Sequence, residues 1–410
     1  MRATYVIAGA GLPGARAAQA LREHGFAGRI VLIGDETTGP YERPALSNGY
    51  LLGKDERTKV FVHERRWHVA REVELRLGER VVSIDRAAHE VELSTGERIA
   101  YTKLLLATGA SPRRVGLPGA DLDGVHDLRW AADSDRLRET ILDGGRIVVV
   151  GAGWTGLETA AAAREYGCDV TIVDSRRTLL DDALGTEMGA YFAGLHSRHG
   201  VDLQLGRTVR GFGGTSEVSS VLTDDGGEFA ADAVIVAARA VPNVELAQRA
   251  GLACDDGVLV DEALRTEDPD IYAIGEVASS YSPFYQRHLR TEHWSNALHC
   301  APVVAQSMLG RHVGYDRLPY FSTEQYEAEM EFTGRIGPEG YDRVVIRGDI
   351  SAESFQAFWL TDDKVVAGLH VNLWESGLEP IEDLIRSHHP VDPTLLADPT
   401  VPPTTFATTS

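Results

Sequence analysis

Short apolar runs ending on glycine punctuate this chain, and most are followed by apolar positions at helical spacing. Tyr5-Val6-Ile7-Ala8 is the first. Gly9, Gly11 and Gly14 follow, then Ala17, Ala18, Ala20 and Leu21, then a second apolar run over residues 29–33 that ends at Gly34-Asp35-Glu36. A short apolar run bounded by turn residues reads as a buried strand, and apolar positions three and four apart read as a helix. The pattern therefore predicts strand, glycine turn, helix, strand, acid. It recurs at residues 146–150, at Gly151, Gly153 and Gly156, at Leu157, Ala160, Ala161 and Ala162, and at residues 169–173, closing on Asp174. Two more runs lie outside this second unit: Leu104-Leu105-Leu106 leading to Ala107-Thr108-Gly109, and Ile271-Tyr272-Ala273-Ile274 leading to Gly275-Glu276. They read as returning strands of the first unit, which the second interrupts. Pro and Gly cluster at the crossing, in Ser111-Pro112-Arg113 and Leu117-Pro118-Gly119, and Val241-Pro242-Asn243 marks the return.

Glycines spaced Gly-x-Gly-x-x-Gly between a strand and a helix allow a tight turn and close backbone approach, and they aim unpaired helix N–H groups at a pyrophosphate. An acid roughly 20 residues further on would grip a ribose hydroxyl. Asp35 or Glu36 has that place in the first unit and Asp174 in the second. One such triplet is a weak signal, but two with matching flanks point to two dinucleotide sites. The expected fold class is α/β, with two Rossmann-type dinucleotide-binding domains.

Composition narrows the chemistry. Among 410 residues, 43% are hydrophobic and 25% charged, an ordinary globular balance with room for more than one core. The formal net charge of −21 argues against a broad nucleic-acid surface. No apolar run is long enough for a membrane span. The N-terminal residues enter a strand without the apolar core of a signal peptide, so the cytoplasm is the expected compartment. Cys168, Cys254 and Cys300 are far apart, which excludes a Cys-x-x-Cys dithiol relay and a cysteine-rich metal site. His196 and His199, at i and i+3 on a helix expected over 188–199, do not make a metal site alone. His388-His389 reads as a surface turn beside Pro390.

Several motifs resemble the bacterial ferredoxin reductases that serve oxygenases and cytochromes P450, the putidaredoxin and rubredoxin reductases, with apoptosis-inducing factor as a relative. They are Pro40-Tyr41-Glu42-Arg43-Pro44-Ala45-Leu46-Ser47, Ala107-Thr108-Gly109, Gly156-Leu157-Glu158, Glu292-His293-Trp294-Ser295-Asn296-Ala297, Val344 to Asp349 and Val365 to Asn372. The resemblance covers about residues 4 to 403. It implies FAD on the first unit, NAD(P)H on the second, and a ferredoxin-type iron–sulfur protein as partner; Asp174, which would bond a ribose 2′-OH and repel a 2′-phosphate, favours NADH over NADPH. By this resemblance Gly9, Gly11 and Gly14 cradle the FAD pyrophosphate, Asp35 takes its ribose, and Arg43 pairs with its phosphates. Val82 lines the adenine pocket, and Thr108, Gly109 and Arg129 approach FAD. Gly275-Glu276 reaches the ribitol, and the backbone at Trp294 opens a helix toward the flavin. Gly151, Gly153 and Gly156 hold the second pyrophosphate, Asp174 the ribose, and Glu158 lies near the nicotinamide. Arg176 and Arg177, next to Asp174, offer a 2′-phosphate an alternative.

Four positions depart from that pattern. Asn48 stands where the family commonly has a lysine paired with the acid at Glu158. Glu276 replaces an aspartate. Ala237-Ala238-Arg239 replaces Gly-x-Gly, so Arg239 would crowd the nicotinamide or contact a phosphate. Ser322-Thr323-Glu324-Gln325 replaces Trp-Ser-Asp-Gln. The departures fall on the nicotinamide and electron-exit side. A flavoenzyme acting directly on a small molecule, and a flavin-binding protein with a structural or regulatory role, therefore stay open beside the reductase. The expected organisation is a flavin domain over 1–112 and 241–318, a nicotinamide domain over 113–240, an α/β interface domain over 319–403, and a disordered Pro/Thr-rich tail over 404–410.

Overall fold

In a computed structural model, the structure describes residues 2–113, 116–237, 239–337 and 340–402; Ala238 and the tail over 404–410 lie outside them. The chain forms two compact units. The first holds Met1–Pro44, Asp55–Ser111 and Ala240–Arg317, and the second holds Ala45–Lys54, Pro112–Arg239 and Leu318–Ser410.

The first unit is built on a five-stranded sheet in the order Ile271–Ala273, Lys103–Leu106, Thr4–Ala8, Arg29–Gly34, Val73–Leu77. Every neighbouring pair is parallel. A parallel sheet is covered on both faces, which is why its strands read as unbroken apolar runs rather than alternating ones. Val6, Ile7, Val31, Leu32, Leu104, Leu105 and Ile271 are all buried to within 1% or less of their surface. Helices Leu12–Glu23 and Trp294–Met308 pack on each other and add Ala17, Ala18, Ala301 and Val304 to this core. The register brings Ala8 opposite both Ile33 and Leu106, and Ala273 opposite Leu106. The chain segments after four strands therefore emerge at one level, at the carboxyl edge where ligands bind in such sheets.

The second unit repeats the plan with parallel strands ordered Asp202–Leu205, Asp169–Asp174, Arg146–Val150, Ala233–Val236, Val125–Asp127. Its C-terminal part is an antiparallel sheet ordered Tyr320–Gln325, Ala328–Gly334, Lys364–Val371, Ser354–Thr361, Arg343–Asp349, with helix Glu379–Ser387 packed on it. The two sheets share one core in which Leu157, Phe192, Ile235, Phe355 and Trp359 meet. Trp359 is fully buried, and its Nε1–H donates to the Leu184 carbonyl at 3.0 Å. Residues 45–54 join the same unit: Leu51 is fully buried in this core, and Ser134 Oγ donates to the Leu46 carbonyl at 2.8 Å.

The expected strands at 146–150 and 169–173 appear as Arg146–Val150 and Asp169–Asp174. The helix expected over 188–199 is longer, Asp181–Arg198, with a kink at Gly185, whose φ of +75° breaks the helical course. Glycine is favoured there, because φ +75° with ψ −177° is a backbone conformation that side chains rarely adopt. His388 ends Glu379–Ser387 in the left-handed region and is exposed, as a surface turn requires.

Candidate functional site

Two glycines of the first turn leave no room for a side chain. A Cβ on Gly9 (φ +122°) would lie 2.1 Å from the Ala107 carbonyl oxygen, and one on Gly14 would lie 2.0 Å from that of Gly9. Gly11 is the N-cap of Leu12–Glu23, which has no side-chain cap and no acid in its first turn. Its first-turn N–H groups thus keep their capacity for an anion. Beside them on the same sheet edge, Thr108 Oγ1 donates to the Asn243 carbonyl at 3.0 Å and Asn243 Nδ2 donates back to the Thr108 carbonyl at 2.8 Å. This clasp fixes Gly109, at φ +64°, to the chain returning from the second unit. Gly275, at φ +75°, packs so close that a Cβ would approach Pro13 Cγ to 3.0 Å, and Glu276 follows, half-buried.

Asp35 stands just past the second strand and pairs with Arg80 at 3.0 Å, both well exposed. The alternative acid, Glu36, is more enclosed: Tyr41 Oη donates to it at 2.7 Å, and Arg43 Nη2 lies 3.5 Å away. The Arg43 guanidinium also lies 5.7 Å from the Tyr41 ring centroid. Val82 is half-buried on strand Val81–Asp85. Trp294 opens its helix as expected, with His293 as N-cap accepting the Ser295 N–H at Nδ1, 3.4 Å.

The second turn repeats the geometry. A Cβ on Gly151 (φ +106°) would lie 2.8 Å from the Ala237 carbonyl oxygen, and one on Gly156 would lie 2.1 Å from that of Gly151. Gly153 caps Trp154–Glu165, again with no side-chain cap and no acid in the first turn. Asp174 is buried at the end of the neighbouring strand. Its Oδ2 accepts the Ala152 N–H at 2.6 Å, and its Oδ1 accepts the Arg176 N–H at 2.7 Å. The Arg176 guanidinium grips both oxygens, at 3.1 and 2.9 Å. Burial pushes this carboxyl upward, but Arg176 and the two backbone N–H groups outweigh burial and hold it below the ordinary aspartate value. Arg176 is thus engaged by Asp174, and it also pairs with Asp182 at 3.3 Å. Ala237, where the family pattern has glycine, packs its Cβ against the turn beside Gly156. Arg239 is exposed, and its carbonyl accepts the Arg113 N–H at 3.1 Å.

Glu158, in the second turn of that helix, is held by two hydroxyls: Ser47 Oγ donates to Oε2 at 2.8 Å and Thr323 Oγ1 to Oε1 at 2.8 Å. Among the described residues no cation pairs with it. Burial pushes its pKa up, the two hydroxyls pull it down, and nearby Glu324 adds to the rise. Asn48 is half-buried next to Ser47, but it is Ser47 that reaches the acid. Arg129 precedes helix Ala131–Leu142, and its N–H donates to Asp133 Oδ2 at 3.0 Å. The sequence motifs singled out Glu158 and Asn48 and contained Ser47 and Thr323, but gave neither hydroxyl a role at Glu158. The alternation of the strand Tyr320–Gln325, with Thr323 and Gln325 buried and Glu324 exposed, was the available signal.

The family model for pyridine nucleotide-disulphide oxidoreductases matches residues 3–301, and the model for the reductase C-terminal domain matches residues 320–406. The chain belongs to the pyridine nucleotide-disulphide oxidoreductase family. It is 40% identical to the ferredoxin–NAD(+) reductase component of the anthranilate 1,2-dioxygenase system of Burkholderia cepacia, covering 98% of each chain. It is 34% identical to putidaredoxin reductase of Pseudomonas putida, over 97% of this chain and 95% of that one. Its fold superposes on the reductase in the crystal structure of the covalent putidaredoxin reductase–putidaredoxin complex with a TM-score of 0.93, at 34% identity, covering 98% of this chain and 97% of that one. As a member of this family the chain is a pyridine-nucleotide oxidoreductase. Its residues fit two dinucleotides: each glycine turn is closed on a strand carbonyl, and each following helix begins with unclaimed N–H groups. The disulphide chemistry in the family's description has no counterpart in this chain. Its three cysteines are free, and burial pushes the Cys300 thiol up to about 12.

Proposed function

We propose that this protein takes electrons from NADH and passes them through FAD to a ferredoxin-type iron–sulfur protein serving an oxygenase or a cytochrome P450. The observation that carries the reading is the pair of glycine turns, each with two glycines where a Cβ would clash with backbone and a helix start without a side-chain cap, at the carboxyl edge of its own parallel sheet. The two relatives named above, both reductases of ferredoxin-type partners, give the acceptor class. Bound at the first turn, FAD would supply two-electron uptake and one-electron release.

The chain's own residues bind and orient. Gly9, Gly11 and Gly14 would seat the FAD pyrophosphate on the helix N-terminus, with Arg43 as its cation and Glu36 or Asp35 at the ribose. Thr108, Gly109, Gly275, Glu276 and the N-terminus of the Trp294 helix would line the rest, with Val82 at the adenine. Gly151, Gly153 and Gly156 would seat the NADH pyrophosphate. Asp174, a buried anion, would accept a ribose hydroxyl and repel a 2′-phosphate, which favours NADH. Glu158, Asn48 and Arg239 would border the nicotinamide, and Arg129 would approach FAD. In this reading residues 1–112 and 241–318 carry FAD, 113–240 carry NADH, and 319–403 form the interface domain. Three free cysteines suit a reducing compartment, and we assign the protein to the cytoplasm.

Anaerobic mixing of the yellow holoprotein with NADH and then NADPH, followed at the flavin band, tests this. The expected result is fast bleaching by NADH, slower bleaching by NADPH, and reduction of cytochrome c only when a ferredoxin is added. No bleaching by either nucleotide would overturn the reading. Bleaching by an organic substrate alone would replace it with a small-molecule flavoenzyme.

A further inference from the structure

The hydroxyl that holds Glu158 is the near end of a longer buried chain. Thr323 Oγ1 donates to Glu158 at 2.8 Å, Gln325 Nε2 donates to Thr323 Oγ1 at 3.0 Å, and the Gln325 carbonyl oxygen lies 2.8 Å from His196 Nε2. Thr323 and Gln325 alternate on one face of Tyr320–Gln325. Glu158 comes from the helix packed on that strand, and His196 from Asp181–Arg198. His196 is fully buried, Gln325 is 1% exposed and Thr323 6%.

With Glu158 ionised, donor and acceptor counting gives the chain a single direction. An ionised carboxylate only accepts, so Ser47 and Thr323 must both donate to it. Thr323 has one hydroxyl hydrogen and has spent it, so its oxygen can only accept, and Gln325 must present its NH₂ group there. The Gln325 carbonyl then faces His196, which must carry its proton on Nε2. His196 Nδ1 has no hydrogen-bond partner, so a proton placed there would be a buried donor without an acceptor.

We propose that Thr323, Gln325 and His196 are positioning residues, a one-way hydrogen-bond relay that fixes Glu158 as an acceptor oriented toward the nicotinamide site. The proposal rests on the reading of Glu158 as a nicotinamide-side residue. The position of one imidazole proton and the direction of every group in the relay are therefore tied together. If His196 carried its proton on Nδ1, Gln325 would turn its NH₂ group to the ring, the Thr323 hydroxyl would donate to the amide carbonyl, and Glu158 would lose one of its two donors. The titratable and charged groups near the relay are Glu324 beside Glu158, and His199 and Tyr326 beside His196. Burial lowers the pKa of His196 to about 4, so the relay keeps its direction through neutral pH.

Holoprotein labelled with ¹⁵N-histidine gives the tautomer directly, with His196→Gln assigning the signal. A neutral Nε2–H ring at pH 7 is expected, and a Nδ1–H ring overturns the proposal. Single-turnover bleaching by NADH across pH gives the second readout. Thr323→Val and Gln325→Leu should each move the acid-side midpoint upward by about one unit, because the ionised carboxylate loses a donor or its orientation. FAD content and the visible spectrum should stay unchanged. His196→Leu should follow Gln325→Leu, whereas His196→Gln, which keeps an N–H donor near the same place, should retain the wild-type midpoint. If Glu158→Gln abolishes the acid-side limb while Thr323→Val and Gln325→Leu leave it in place, the relay is wrong and the reading of Glu158 stands. If Glu158→Gln leaves the limb untouched, that reading falls and the relay's purpose falls with it.

Discussion

At the scale of single residues, carboxylates at the second glycine turn do more than meet a ligand. Asp174 holds the Ala152 N–H and the Arg176 fork, so it shapes the turn before any nucleotide arrives. Asp174→Asn keeps the size but loses the charge. Hydrogen bonds to a charged group contribute about 1.5–3 kcal/mol, so KM for NADH should rise about tenfold or more and the preference over NADPH should narrow. Steady-state kinetics with both nucleotides checks this, and an unchanged KM would count against a ribose role. His196 gives a stability test. Its pKa falls from 6.5 unfolded to about 4 folded because burial disfavours the imidazolium. A lowered histidine value means the unfolded chain binds the extra proton between those limits. The stability this group contributes is present above pH 6.5 and is lost as pH falls toward 4. Wild type should lose about 2 kcal/mol more than His196→Gln between pH 7 and pH 5, measured by denaturant unfolding. Equal losses would show that His196 is not held neutral. The sequence pointed to Glu158 and Asp174 through their places after glycine motifs. It gave Ser47 and Thr323 no role at Glu158, since hydroxyls contributed from residues 111 and 165 positions away leave no local pattern.

At the scale of elements, strand, turn and helix were readable wherever a steric demand and a period coincided. Both parallel sheets bury both faces, so their strands appear as apolar runs, and both turns demand glycine. The kinked helix beginning at Asp181 was less readable, because Gly185 and Gly189 interrupt its period and Gly185 takes a positive φ inside it. The shared core of the second unit yields a packing prediction. Trp359→Phe keeps most of the apolar volume but leaves the Leu184 carbonyl without its donor, which should cost about 1–3 kcal/mol. Thermal or denaturant unfolding measures it, and no loss would mean that water satisfies the carbonyl. FAD content should be unaffected, since Trp359 belongs to the second unit's core.

At the scale of the whole molecule, the interruption of one dinucleotide fold by another was visible because the returning strands kept their apolar signature and ended on glycine. The placement of residues 45–54 in the second unit was not, since it depends on Leu51 and the Leu46 carbonyl meeting Ser134 and the buried core far along the chain. Ligand linkage offers a test at this scale. A ligand that binds only the folded state stabilises it by about 2.7 kcal/mol at a hundredfold excess over its Kd. Adding FAD to apoprotein should raise the melting temperature by several degrees, and a melting curve indifferent to FAD would contradict a folded flavin site. The account's central claim is that each of the two glycine turns serves its own dinucleotide. Gly156→Ala places a Cβ 2.1 Å from the Gly151 carbonyl oxygen without touching the first turn. The variant should purify yellow with a full complement of FAD, be reduced normally by dithionite, and be bleached by NADH only at concentrations far above those that suffice for wild type. A colourless Gly156→Ala protein, or one bleached by NADH as readily as wild type, would contradict the account.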